Sequence, residues 1–209
     1  MIKATLIDKI VAHEWRMFQQ VENIGGRAAC QDNPETFKIM RSSQAASWPE
    51  NVLASYLDDL KTAAQEGDNL LTEKYARMMA STSPREYAEI EHLLTRIEPE
   101  KSALADQIAE IHLAWERELA GRYPYVSQRG RPLFSREDSL GATSVETYLR
   151  GELLSFSMRT LELYYQETVR QQAAGINGSE AILLNTVKQY GFSSLEEANE
   201  QLRQLSLEK

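Results

Sequence analysis

The sequence predicts an all-α fold: a single-domain helical bundle with a long central helix and two long functional loops. Three observations carry this reading. Apolar residues recur at helical spacing from end to end, helix-starting and helix-stopping residues punctuate them, and no stretch shows the β-branched alternation of a strand bounded by turns. At 209 residues the chain can bury about 70% of the surface its unfolded form exposes, so a single core needs no disulfide or metal to hold it. No internal repeat or low-complexity segment divides the chain, so it reads as one domain, 1–209.

The first helix is expected from Ile2 to Glu22, stopped by Gly25-Gly26, where continued helix is entropically costly. A short helix follows over Glu35–Gln44. Pro49 suits the first turn of the next, since its missing N–H would be unpaired there anyway, and Gly67 supplies a left-handed stop. Another helix runs from Asp68 to about Ala80. Ser83-Pro84-Arg85-Glu86 has the form of a capping box with proline at the first helical position, which places a helix over 84–97. Pro99 opens the next and Gly121 ends it. Thr143 with Glu146 forms a second capping box, opening a helix to about Ala174. Apolar residues surround that helix nearly completely, from Val145 and Leu149 through Leu153, Phe156 and Leu161 to Tyr164, as expected of one in the middle of a bundle. Helices over Ser179–Tyr190 and Ser193–Leu205 complete the set.

Composition narrows the function classes. A single cysteine, Cys30, allows no internal disulfide, and charges run throughout the N-terminal MIKATLIDKIVAHEW, where a secretory signal would carry an apolar core. A reducing, cytoplasmic setting is the expectation. No apolar run approaches the roughly 20 residues of a membrane span, which argues against a membrane role. The formal net charge of -8 opposes general nucleic-acid binding. Self-association into a homo-oligomer stays open, and no motif names a cofactor.

The helical pattern breaks at two loops, Asn23–Pro34 and Arg122–Ala142. Connections longer than about 12 to 15 residues are usually functional or disordered. The second carries Arg122, Arg129, Arg131 and Arg136 with no acid before Glu137, and planar guanidinium groups suit carboxylates or phosphates. The alternative is that these arginines simply pair with acids on neighbouring helices. Within the first helix, Glu14 falls inside the apolar stripe of Leu6, Ile7, Ile10, Met17, Phe18 and Val21, with His13 at its edge. On the helix after Pro99, His112 projects among Leu104, Ile108, Ile111, Trp115 and Leu119, and Glu116 follows one turn later. A buried carboxylate must be paired, metal-bound or protonated. Either these are satisfied structural groups, or Glu14 and His112 converge as a proton-transfer pair or as partial metal ligands. Cys30 sits in the first loop, where Arg27 is placed to lower its pKa and make it a nucleophile; a lone cysteine is more often inert.

Metal motifs are poor. His13-Glu14 lacks the second histidine of a zinc-protease helix, and Glu89 with His92 is a single E-x-x-H whose histidine projects away from the apolar stripe. No P-loop, dinucleotide fingerprint or nucleophile elbow is present. No metal ligands are assigned.

Several segments read together carry a resemblance: HEW at 13–15, NIGGRAACQ at 23–31, MRSSQ at 40–44 with Trp48, SYLDDL at 55–60, EKYARMM at 73–79, RYP at 122–124, RGRP at 129–132 and SVETYLRGELLSFS at 144–157. On these the chain resembles a bacterial family catalogued as a domain of unknown function, number 4125. The resembling region runs from the first helix to about residue 170, leaving 171–209 as a C-terminal helical extension. The resemblance implies a stand-alone bacterial protein and brings no activity with it.

Two functional expectations follow. In the first, a small anionic metabolite, a carboxylate or phosphate, binds between helices beneath the loops. Arg27, Arg41 and Arg131 hold the anion, Glu14 and His112 move protons, and Lys74, Tyr75 and Tyr148 are lesser participants. In the second, the chain is a non-catalytic helical interaction protein whose arginine-bearing loop docks an acidic partner.

Overall fold

The computed structural model describes residues 2–23, 25–139 and 141–208. Ile24 in the first loop, Leu140 in the second and the terminal Met1 and Lys209 lie outside the described residues. The first helix, α1 (Lys3–Gln19), is followed by α2 (Pro34–Ala46), α3 (Glu50–Glu66) and α4 (Leu70–Thr82). Next come α5 (Pro84–Ile90), α6 (Pro99–Arg122) and the single turn α7 (Pro124–Ser127), then α8 (Val145–Ser155), α9 (Met158–Ala173), α10 (Gly178–Gln189) and α11 (Leu195–Leu207). Among the described residues the only β-type pairing is an isolated bridge between Ser139 and Ala142, so the chain is an all-α domain.

One buried cluster joins α1, α3, α8 and α9 through residues such as Ile10, Leu53, Leu60, Leu153 and Leu161. A second lies at the far end of α6, where Leu119 and Tyr123 meet Val187 of α10 and Leu195 of α11. Helix α4 packs along α8, and α6 packs on both α8 and α9. The α4–α8 approach requires a glycine: a Cβ on Gly151 would stand 2.9 Å from Met78 Cγ and 3.0 Å from the Lys74 carbonyl oxygen.

Several boundaries depart from expectation for identifiable reasons. Helix α1 stops at Gln19, short of the glycines, because the buried Gln31 amide of the first loop donates to the carbonyls of Phe18 (2.8 Å) and Val21 (2.9 Å). A tertiary cap thus ends the helix. The first loop itself contains a 3-10 turn over Ala29–Asp32. The expected long central helix is two helices. Phe156 is extended (ψ 154°), Ser157 Oγ accepts from Thr160 N–H, and the Ser157 N–H donates to Asp59 Oδ2 at 2.9 Å. The break places a new N-cap inside an apolar stretch, which periodicity cannot register. The longest helix is α6, with 24 residues.

The N-cap of α8 is Ser144, whose hydroxyl accepts from Thr147 N–H, and not Thr143. Glu146 instead accepts from the backbone of Ser135 in the second loop. Ser83 makes no side-chain cap, and α5 ends at Ile90 rather than 97 with no buried residue. Its stripe finds too little to pack against. Gly67 is left-handed at φ 82°, as the sequence predicts.

Candidate functional site

Glu14 is fully buried, and its charge is answered from the neighbouring helix. Arg41 of α2 donates from Nε to Glu14 Oε2 at 2.9 Å and from Nη2 to Oε1, and Tyr56 of α3 donates its hydroxyl to Oε1 at 2.8 Å. Arg41 continues to Glu152 of α8 (Nη2 to Oε1, 2.7 Å), and Lys74 of α4 donates to the other Glu152 oxygen at 3.1 Å. The result is a buried network of two carboxylates and two cations, charge-balanced within itself. Burial alone would raise the Glu152 carboxyl, but Arg41 and Lys74 overrule it and hold it at about 2. The Arg41 guanidinium is likewise kept firmly protonated; burial opposes its charge, and Glu14 and Glu152 prevail.

On one side of this network opens a cavity of about 490 Å³. Its apolar wall is formed by Phe18, Phe37, Met40 and Ile182, and its polar wall by Arg41, Gln44, Tyr75, Arg131 and Tyr148, with Cys30 also on the lining. Phe18 meets two further aromatic side chains of the lining there, stacking on Phe37 at 5.1 Å and lying 5.7 Å from Tyr75.

Tyr148 is where the network meets the cavity. The Lys74 ammonium sits 3.6 Å from its ring centroid and the Arg131 guanidinium 4.4 Å. Burial works to raise the phenol, yet Lys74 and Arg41 more than offset it, so its pKa lies below the ordinary tyrosine value. Tyr75 moves the other way, raised by burial and by its neighbour Tyr148. Arg131 also donates to the Thr143 carbonyl at 3.1 Å. Among the described residues no carboxylate pairs with it.

The remaining sequence candidates lie elsewhere. His112 does not meet Glu14. It is buried with Nε2 3.0 Å from the Tyr164 hydroxyl and Nδ1 3.5 Å from Ser179 Oγ, and burial lowers its pKa to about 4. The apolar face around it fills with aromatic neighbours, Trp115 and Tyr164, and not with a second acid or base. His13 faces a separate groove with Arg16 and Asp68. Burial, Arg16 and Lys61 together lower its pKa. Arg27 is likewise outside the cavity: it donates to Asp32 (2.7 Å), Gln19 (2.5 Å) and the Gln31 carbonyl (2.8 Å), clasping the first loop rather than activating Cys30. Arg122, the last residue of α6, is paired with Glu118 and Glu180, and in the second loop Arg136 lies over Phe134. Among the described residues no three His, Cys, Asp or Glu side chains gather as a metal cage.

Glu152 and Tyr56 are not singled out by the sequence pattern. The signal for Glu152 was present, since it is an acid one turn beyond Tyr148 on a helix otherwise apolar on most sides.

A family model described as "Protein of unknown function (DUF4125)" matches residues 4–200, beyond the 170 limit of the motif segments and into the last helices. No curated protein and no solved structure matches the chain.

Proposed function

The chain belongs to the family described as Protein of unknown function (DUF4125), and from its cavity we propose that it binds a small organic anion there, with Tyr148 exchanging a proton with the bound molecule. One observation carries the reading: Arg131, free of any carboxylate among the described residues, stands over Tyr148 at the edge of a mostly apolar cavity. The cavity's 490 Å³ falls within the range of about 300 to 1,000 Å³ typical of small-molecule sites. Arg41 lines the same cavity, but Glu14 and Glu152 already match its charge, so the anion is assigned to Arg131 and the apolar body to Phe37 and Tyr75.

Tyr148 suits proton exchange because Lys74 beside its ring stabilises the phenolate, while the phenol remains a competent donor. The buried ion network supports Lys74 in that position through Glu152. A positioned base next to a bound carboxylate is the arrangement that acid/base chemistry on an organic acid requires. Docking of an acidic partner through the arginine-bearing loop has less behind it, since Arg122 and Arg136 are engaged within the chain.

Calorimetric titration with hydrocinnamate, an aromatic carboxylate, tests the binding half. Hydrocinnamate should bind, its neutral amide should bind at least about tenfold more weakly, and Arg131→Gln should erase the difference. Equal binding of acid and amide to the wild-type protein would refute the assignment.

A further inference from the structure

A second cavity, of about 390 Å³, shares Arg131 with the first. The two adjoin on the same elements. On α8, Tyr148 lines the first and Val145, one turn earlier, lines the second; on α10, Ile182 lines the first and Leu183 the second. The arginine side chain therefore stands between them. Apart from Arg131, the charged group on the second cavity's lining is Glu116 of α6.

Glu116 is an unusual acid for this chain. It is largely buried near Ser179, and among the described residues has no basic side chain paired with it. Burial pushes its carboxyl up, and Ser179 only partly counters this. Ser179 is itself buried at the start of α10, next to His112, which is in turn bonded to Tyr164. Glu116 itself lies on the lining of the second cavity. An acid and the exposed guanidinium of Arg131 border one cavity without pairing to each other. A ligand in this cavity that carries both charges would meet a complementary group for each.

We infer that the two cavities form one bipartite site for an amino-acid-like zwitterion, with its carboxylate on Arg131, its ammonium on Glu116 and its apolar body against Phe37 and Tyr75. The inference rests on the anion reading above and narrows its ligand class from organic acids to amino acids.

The test compares three probes of one skeleton on the full-length protein by calorimetry: hydrocinnamate, L-phenylalanine and its β-amino isomer, the last two differing in the distance between charges. At least one amino form should bind about tenfold or more tightly than hydrocinnamate, as expected for a new charge-assisted hydrogen bond in a buried setting. Glu116→Gln should return that probe to the hydrocinnamate level while leaving hydrocinnamate itself unchanged. If hydrocinnamate binds and neither amino form gains, the zwitterion inference is overturned and the anion site stands. A gain that survives Glu116→Gln removes Glu116 from the site. Failure of all three probes to bind overturns the anion reading and this one with it. Since the wild-type comparison is decisive alone, a poorly folding variant does not rescue the inference.

Discussion

Replacing Glu14 by glutamine removes one of the two carboxylates that neutralise Arg41 and leaves the buried network with an excess positive charge. Breaking a buried pair from one side typically costs about 3 to 5 kcal/mol, because the remaining partner stays desolvated. The lower end is expected here, since Glu152 still holds Arg41 and the amide oxygen still accepts a hydrogen bond. Glu14→Gln should therefore lower stability by about 3 kcal/mol, measured from the denaturant midpoint. That outcome differs from what a proton-transferring Glu14 would give, namely loss of turnover with the fold unharmed. The sequence showed that Glu14 was out of place on an oily face, and physical chemistry required that something answer it. It did not show what, because Arg41 and Glu152 arrive from helices whose registers only the packed fold determines. Cys30, Tyr75, Arg131 and Tyr148 come together on one cavity for the same reason that Arg27 and His13 do not: a loop turn or a helix face separates neighbours in sequence.

At the scale of elements, the contact between α4 and α8 places Lys74 over Tyr148, and Gly151 permits it. Alanine at 151 would gain roughly 1 kcal/mol of helix propensity. Its Cβ, however, would meet the Lys74 carbonyl oxygen at 3.0 Å and Met78 Cγ at 2.9 Å, and a backbone atom cannot rotate away. Overpacking of this kind costs about 1 to 3 kcal/mol, so Gly151→Ala should be destabilising on balance and should also shift Lys74 off the tyrosine ring. Chemical denaturation reads the first effect; an unchanged or raised midpoint would mean that the helices part freely. The helix boundaries were legible where local chemistry sets them, as at Pro99 and Gly67. They were illegible where a distant group does, as at the Gln31 amide that ends α1 and the Asp59 carboxylate that receives Ser157 at the α8–α9 break.

For the whole molecule, buried titratable groups make stability depend on pH. The folded pKa of His112 is about 4, below its ordinary 6.5, so the unfolded chain takes up that proton first. Its contribution is intact above about 6.5 and is lost as pH falls from there towards 4, on the order of 3 kcal/mol in all. Glu152, held at about 2, adds a further loss between its ordinary 4.5 and 2. Glu116, raised by burial, works in the opposite sense, with stability lost as pH rises through its folded pKa. The clean readout is thus a difference: between pH 6.5 and 4, His112→Gln should lose less melting temperature than the wild-type protein does. Parallel profiles would show that the histidine is not buried neutral.

The site claim reduces to the state of one phenol. Among the chain's 9 tyrosines, spectrophotometric titration of tyrosinate should reveal one that ionises below the ordinary value, absent from Tyr148→Phe. Saturating hydrocinnamate should push that ionisation upward, because a second negative charge beside the phenolate opposes it. A Tyr148→Phe titration that superimposes on the wild-type curve, or an early ionisation indifferent to the carboxylate, would contradict the account.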